Sequence, residues 1–211
     1  MVNVDSRRPH GNRETEFKAQ ATLDDGARSR LGFDFGPALN GPIPVKLTGR
    51  VSAGPNPETR IGVEADMTQA RIKDLLPGWE KTPGRALKAN FTMVERSQSM
   101  RLEDIAVDGA GATLRGAIEL DGDGDVVSAN FPTFALSDGD KASLKVERGG
   151  ERALKVTVRG DVFDGRGFIK SSMSGSSDAK KKKERDVDLD VKLGAVAGHH
   201  GEVVRGLELR L

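Results

Sequence analysis

The sequence contains no cysteine and no tyrosine, and its one tryptophan and eight phenylalanines make aromatic residues only 4% of the 211 positions. The absence of cysteine excludes disulfide bonds, thiolate metal ligands and a cysteine nucleophile, although it leaves the cellular compartment open. Large β cores usually take much of their volume from aromatic rings. A β core in this chain must therefore be built mainly from valine, leucine, isoleucine and alanine.

An excess of charge of one sign is also missing, because 33 basic and 32 acidic residues leave a net charge of +1. This balance argues against a nucleic-acid partner, which requires a basic face. No run of about 18 apolar residues is present, so the sequence predicts no transmembrane helix. The first eight residues lack the apolar segment of a signal peptide.

What the sequence has in abundance is a strict alternation of apolar and polar residues. Residues 187–193 read Val-Asp-Leu-Asp-Val-Lys-Leu, which on a strand gives one apolar face and one charged face. The pattern recurs about ten times, at a spacing of roughly 10 to 15 residues with turn signals between, which is typical of an antiparallel meander. A change of phase at Asp104 suggests a β-bulge.

The sequence therefore predicts an all-β, mainly antiparallel fold, in which a long meander curls like a groove and carries two or three short helices. One helix is predicted near residues 24–31 and another near 68–76, where Thr68 is a candidate N-cap and a Pro-Gly pair follows. Residues 164–173 are a third, weaker candidate. The chain is interpreted as a slice of a longer protein, with any targeting segment outside it.

Four regions are predicted along the chain. They are a polar N-terminal extension at 1–15, a repeated antiparallel β region at 16–173, a flexible serine- and lysine-rich loop at 174–185, and the truncated start of a further β repeat at 186–211. The lysine run in the loop fits either contact with anionic lipid headgroups or a solvated loop.

Motifs that would indicate chemistry fail when they are tested individually. Residues 121–125 begin like a calcium loop, but the sixth and twelfth positions are Val126 and Pro132 instead of glycine and glutamate. His199 and His200 are adjacent, and on an extended chain they would point to opposite sides, which suits shared metal ligation poorly. The sequence therefore predicts no catalytic residue, no metal site, no cofactor and no enzyme.

The apolar strand faces pose a covering problem. Leaving the three or four inward side chains of a strand exposed forfeits roughly 5–10 kcal/mol, and two or three short helices cannot cover ten such strands. Two solutions remain open. Either the sheet closes on itself as a sandwich or barrel, or it curls into a groove whose apolar inside receives a ligand.

Several segments resemble the AsmA-like family. The resemblance is best to the large members of the YhdP and TamB type. The resemblance covers most of residues 16–211 and is carried by residues 101–109 with 112–120, 160–171, 188–191 with 204–209, and the Leu-Leu-Pro-Gly-Trp of 75–79, which fits a helix-turn between repeats. It implies a periplasmic protein, anchored in the inner membrane by a segment outside this sequence. It also implies an apolar β-groove that conducts phospholipids between inner and outer membrane and supports outer-membrane lipid homeostasis, without catalytic residues.

Under this hypothesis the partners are a phospholipid or other acyl-chain ligand and neighbouring repeats of the full-length protein. The last strand, residues 207–211, is expected to allow edge-strand self-association. The alternative is a closed β-sandwich that serves as a structural or interaction scaffold with no lipid ligand. Lipid contact and ordinary core packing both explain each candidate groove-lining residue, and the candidates are Leu114, Ile118, Leu120, Leu144, Val146, Leu154, Val156, Val158, Leu189 and Val191.

Overall fold

The computed structural model describes residues 3–7, 14–31, 35–52, 57–76, 78–96, 99–149, 153–173 and 186–211. Within these ranges it contains fifteen strands and two α-helices. The strands are β1 Asn3–Arg7, β2 Glu14–Leu23, β3 Leu39–Asn40, β4 Ile43–Ser52, β5 Glu58–Asp66, β6 Arg71–Leu76, β7 Trp79–Lys81, β8 Leu87–Arg96, β9 Ser99–Gly109, β10 Ala112–Asp121, β11 Val126–Ala135, β12 Lys141–Arg148, β13 Leu154–Asp164, β14 Val187–Ala197 and β15 Val203–Arg210. The helices are α1 Asp25–Arg30 and α2 Arg166–Met173.

Twelve of these strands form one large sheet in the order β1-β2-β4-β5-β8-β9-β10-β11-β12-β13-β14-β15. The two end strands do not pair with each other, so the sheet is open. The prediction of a long, curled, mainly antiparallel β-sheet is confirmed, and the closed sandwich is not the architecture of the described residues. Strand order follows chain order because each hairpin places a strand beside its predecessor.

One neighbouring pair departs from a simple meander, because β13 and β14 run parallel. A parallel pair needs a crossover connection of a dozen or more residues, usually with a helix. Helix α2, at the third and weaker of the candidate helix positions, lies in this connection. The loop predicted at residues 174–185 lies outside the described residues.

The strand register places the apolar residues on one face of the sheet. Residues directly opposite each other in adjacent strands share a face, and one such row is Ile118, Ala129, Val146, Val156 and Leu189. The row crosses five strands and is apolar throughout. The alternation seen in the sequence is thus kept in phase from strand to strand.

The bulge suggested at Asp104 is confirmed. Its backbone has a positive φ of 53°. The pairing of β9 shifts on both sides of it, since Gly116 faces Ile105 but Ile118 faces Leu102. The extra residue restores the apolar phase on the following half of β9.

A second, three-stranded sheet in the order β3-β6-β7 packs on the apolar face of the large sheet. The helix predicted at residues 68–76 is therefore wrong, because residues 71–76 form β6. Ala70 and Ile72 are buried at alternate positions, so pairing with β3 and β7 outweighs the helix-like spacing of the leucines. In the Leu-Leu-Pro-Gly-Trp segment, Leu75 and Leu76 end β6 and Trp79 begins β7, so these residues do not follow a helix.

The predicted helix at 24–31 is confirmed as α1, whose N-cap Asp24 accepts a 2.7 Å hydrogen bond from the backbone N–H of Ala27. The polar extension predicted at 1–15 needs correction. Residues 3–7 pair with β2 as an antiparallel strand, and β2 itself already begins at Glu14.

Candidate functional site

The ten predicted lining residues all lie on the apolar face, and each is half-buried. Cross-strand pairing connects them: Leu144 faces Val158, which faces Val191. The other candidates on these three strands stand at even spacing from them, and the three candidates on β10 join the same face because Ile118 faces Ala129, which faces Val146. The structure thus brings together the residues that the sequence predicts, on a surface that the chain covers only in part.

The same face continues into the N-terminal half of the sheet, which the candidate list omitted. Leu47 faces Val63, Val63 faces Phe91, and Ile61 faces Met93. All five are half-buried like the candidates. The signal was present, since these strands alternate in the same way as the later ones.

Two phenylalanine rings lie over glycines on this face. A Cβ added at Gly49 would lie 2.1 Å from Cε1 of Phe17, and one added at Gly116 would lie 2.6 Å from Cδ1 of Phe131. Each ring therefore occupies the space that a side chain on the neighbouring strand would fill. Because the glycines have no side chain, the rings lie close to the backbone of the sheet at these two points.

The strand ends define two rims of the apolar face. The covered rim comprises the ends at Leu23, Ile43, Asp66, Leu87, Gly109, Ala112, Ala135, Lys141, Asp164 and Ala197, and the open rim comprises the opposite ends at Glu14, Ser52, Glu58, Arg96, Ser99, Asp121, Val126, Arg148, Leu154 and Val187. The small sheet lies over the covered rim, where Leu39, Ile72 and Trp79 form a buried cluster with Ile43 and Leu87. Besides this cluster, the described residues form two further buried clusters, one around Phe131 and Phe134 and one around Leu193 and Val196, and six of the ten predicted lining residues pack against them.

Helix α2 meets the small sheet above the groove. A Cβ added at Gly78 would lie 2.1 Å from the carbonyl carbon of Gly167, and one at Gly167 would lie 2.2 Å from the carbonyl oxygen of Gly78. Gly78 precedes β7, the small-sheet strand that comes before β8 in the chain, and Gly167 follows β13. Strands β8 and β13 are five strand spacings apart, about 24 Å on a flat sheet. The contact shows that the small sheet reaches across a curled large sheet.

Two buried cations hold the covered rim together. Nζ of Lys81, which is 1% exposed, donates to the carbonyl oxygens of Thr68 at 2.8 Å, Ala70 at 2.7 Å and Thr82 at 3.2 Å. Burial lowers the pKa of Lys81, and the charge of nearby Asp66 raises it in part. Three converging carbonyls satisfy the ammonium donors, which is the condition for burying a charge without a carboxylate partner.

Arg28 has the second buried charge and fastens α1 to the same rim. Its guanidinium, which is 5% exposed, donates to the carbonyl oxygens of Leu23 at 3.0 Å, Gly41 at 2.7 Å and Leu39 at 3.1 Å. It also pairs with Asp25. Both cations are thus structural groups with their donors occupied.

The open rim carries exposed ion pairs. Arg96 contacts Glu58 at 2.7 Å, and Arg148 contacts Asp121 at 2.8 Å. The Arg148 guanidinium lowers the pKa of Asp121. Such exposed pairs contribute little to stability. Their main effect is to make this rim polar and hydrated.

The chemical motifs take structural roles. The carboxylate of Asp121 accepts hydrogen bonds from the backbone N–H groups of Asp123 and Asp125, as expected of a hairpin turn. His199 and His200 lie in a short 3₁₀ turn instead of an extended chain. Across the described part of the chain, histidine and carboxylate side chains form no group of three or more suited to a metal ion. In the same residues, no helix has the length and apolar character to cross a bilayer.

Fold and site together define an open β-sheet with one apolar, partly covered face. Comparison with protein-family models, curated proteins and solved structures found no match to this chain. The resemblance to the AsmA-like family thus stays a prediction that rests on the segments given above.

The junction between β13 and β14 gives a pH-dependent prediction. Arg159 Nη2 lies 2.8 Å from Asp190 Oδ2, and this hydrogen bond lowers the pKa of Asp190. Because the folded-state pKa is the lower one, the stabilisation is complete above the unfolded value of about 3.9 and is lost as pH falls through the folded value. The difference in unfolding free energy between the wild type and Asp190→Asn should be constant above about pH 5 and shrink in acid.

Urea unfolding from pH 7 to pH 2 measures this difference, and carboxyl NMR titration reports the pKa of Asp190 directly. Asp188→Asn, an exposed position on the same strand, is the matched control and should change stability by less than about 0.5 kcal/mol. A difference that does not vary with pH would contradict the prediction.

Proposed function

We propose that the apolar face is a groove that binds the acyl chains of phospholipids. The chain would be a segment of a periplasmic, inner-membrane-anchored protein of the AsmA-like type that conducts lipid between inner and outer membrane. One observation carries the proposal: the apolar face continues from β2 to β15 on an open sheet, and many of its side chains, including all ten candidates, stay partly exposed. Monomeric soluble proteins rarely expose apolar surface on this scale unless it binds something.

The energetics suit acyl chains. Covering the part of one lining valine or leucine that is still exposed, at most about a third of the side chain, gains up to about 1 kcal/mol, and this gain is non-directional. A ligand held in this way can slide without breaking specific bonds. Strands cross the groove, so its length follows from strand number: the ten spacings between β2 and β15 in the large sheet give about 48 Å.

This length exceeds that of one acyl chain, which spans half of the ~30 Å hydrocarbon core of a bilayer. The groove therefore offers several equivalent positions along its axis. The headgroup would remain in water at the open rim, where the charges of Arg96 and Arg148 are paired with Glu58 and Asp121. Transport in this scheme is passive. The groove itself sets no direction for the movement of lipid.

A photo-crosslinking experiment tests the proposal. A photoreactive amino acid at Ile118 or Val156, both on the apolar face, should crosslink to co-purified or added phospholipid. The matched controls are Glu119 and Thr157, their chain neighbours on the opposite face. We expect at least about tenfold more lipid adduct from the two groove positions, because alternation sends neighbouring side chains to opposite faces.

Native mass spectrometry of the purified chain supplies the second readout, with phospholipid expected as a bound species. Equal adducts on both faces, together with no bound lipid, would overturn the proposal. That outcome would favour an interaction scaffold with no lipid ligand, which is the alternative reading of the same fold.

A further inference from the structure

Arg148 is a charged residue at an inward position of the apolar face. It faces Leu154 on β13, and Leu154 faces Val187 on β14. Two residues earlier on the same strand, Val146 faces Val156, so Arg148 continues the row of inward side chains to the open rim. The chain therefore carries an arginine where the alternation predicts an apolar side chain.

Protein atoms hold the guanidinium of Arg148 at the rim. Nε and Nη2 donate to the carbonyl oxygen of Val126 at 3.1 and 3.0 Å, and Nη2 also lies 2.8 Å from Asp121 Oδ2. Oδ1 of Asp121 accepts hydrogen bonds from the backbone N–H groups of Asp123 and Asp125 at 3.0 and 2.9 Å. Because both partners are anchored, the guanidinium is preorganised, and binding a ligand costs it little side-chain entropy.

The same guanidinium can bind a further group. Nε and Nη2 make the contacts above, whereas the two N–H groups of Nη1 make none among the described residues. The side chain is 36% exposed. Its stem lies along the apolar row while its charged end reaches the water at the rim. Donors placed in this way suit a phosphate attached to acyl chains, and binding it leaves the pair with Asp121 intact.

We propose that Arg148 binds the headgroup phosphate of the lipid, and that the adjacent acidic turn selects a headgroup that also carries a protonated amine. This inference rests on the proposed function, because it requires acyl chains in the groove. The headgroup class is then a zwitterionic one, such as phosphoethanolamine. Its phosphate contacts Nη1 of Arg148, and its ammonium faces the carboxylates of residues 121–125.

The charges around Arg148 support this choice of headgroup. The turn that follows β10 carries Asp121, Asp123 and Asp125, and the side chain of Asp123 is exposed. Three carboxylates beside one guanidinium disfavour a headgroup with net negative charge. An ammonium group next to the phosphate removes this penalty. The Asp-Gly-Asp-Gly-Asp motif, which does not match a calcium loop, thus takes a role in selecting the ligand.

Arg50 provides a matched control near the same rim. It faces Glu16 on β2 and pairs with it at 2.9 Å. Its chain neighbour Gly49 is the position that the ring of Phe17 covers on the apolar face. Alternation therefore places Arg50 on the opposite, polar face, where it forms an exposed ion pair but cannot meet a lipid in the groove.

Native mass spectrometry of the whole chain with an equimolar mixture of phosphatidylethanolamine and diacylglycerol tests the phosphate contact. The two lipids carry the same acyl chains, so the ratio of the two complexes reports the headgroup and is insensitive to partial unfolding. The wild type should favour phosphatidylethanolamine about tenfold. Arg148→Gln should reduce this preference to about twofold or less, and Arg148→Lys should keep part of it. Arg50→Gln should leave the preference unchanged.

Phosphatidylglycerol, which is anionic and has no amine, tests the acidic turn. In an equimolar mixture with phosphatidylethanolamine, the wild type should favour the zwitterionic lipid about fivefold. The double variant Asp121→Asn with Asp123→Asn should bind the two lipids about equally, because both keep the phosphate and only one has lost its ammonium partner.

The outcomes distinguish this inference from the groove itself. If none of the three lipids binds to the wild type, the proposed function fails and this inference fails with it. If phosphatidylethanolamine and diacylglycerol bind equally, or if Arg148→Gln keeps the wild-type preference, the groove holds lipid but Arg148 does not bind the phosphate. A wild type that prefers phosphatidylglycerol would overturn the role given to the acidic turn.

Discussion

Replacing Lys81 with methionine is expected to lower the free energy of unfolding by about 3 kcal/mol. Methionine keeps most of the buried stem but removes the ammonium, so the carbonyl oxygens of Thr68, Ala70 and Thr82 lose a shared donor. Replacing an entire buried ion pair with apolar groups can be neutral. Here the acceptors are backbone atoms that stay behind and cannot be replaced.

Urea denaturation followed by circular dichroism measures this loss. Lys46→Met, at an exposed position on β4, is the matched control and should stay within about 0.5 kcal/mol of the wild type. A Lys81 variant as stable as the control would mean that the three carbonyls find water when the ammonium is removed. The stabilising role given to Lys81 would then be wrong.

Substituting Gly167 with alanine is expected to destabilise the chain by about 2 kcal/mol, because the new methyl would overlap a neighbouring backbone that has to move. The sign is informative. Alanine in a helix is normally favoured over glycine by up to about 1 kcal/mol, so a free α2 would be stabilised by the same change. The expected loss arises from the 2.2 Å approach of that Cβ to the Gly78 carbonyl oxygen.

A pair of glycine variants isolates the contact from backbone strain. Gly78 and Gly84 both have a positive φ, 76° and 88°, so alanine is strained at either site. A Cβ at Gly84 meets nothing within 4 Å, whereas one at Gly78 overlaps Gly167. Gly78→Ala should therefore be the less stable variant in urea unfolding. Equal losses, or a Gly167→Ala variant more stable than the wild type, would show that α2 does not rest on the small sheet.

The large sheet could be predicted from the sequence because its signal is local. Strands such as β14 alternate residue by residue, and a period of two identifies both the element and its inward side chains. Once each strand keeps its phase, pairing in chain order places Val156 beside Val146 without further information. Even the interruption at Asp104 was visible, since it changes the phase within one strand.

The covered rim could not be predicted because its causes are not local. Ile72, Leu75 and Leu76 have a spacing typical of a helix, and only pairing with β3 and β7 makes residues 71–76 a strand. Lys81 looks like any charged residue on an alternating strand. Its burial depends on carbonyl groups of Thr68 and Ala70 that the fold brings to it.

The parallel pairing of β13 with β14 was only partly predictable from the sequence. The sequence contained a weak helix signal at residues 164–173 between two strands, and a connection of that length is the signature of a crossover. Because the preceding strands form antiparallel hairpins, the sequence pattern favoured an antiparallel meander over a parallel pair at this point. A helix candidate between two strong strands therefore carried more information than its own weak pattern indicated.

The strand order of the large sheet also bears on how such a chain can change in evolution. Each strand bonds only to its neighbours, as in repeat proteins whose units contact only adjacent units. Duplicating or deleting one hairpin would change the groove length by about 10 Å and leave the backbone pairing of distant strands unchanged. Between β8 and β13 it would also shift the contact between Gly78 and Gly167. Descendants of this chain could thus differ in sheet width by two strands at a time and still keep the apolar residues on one face.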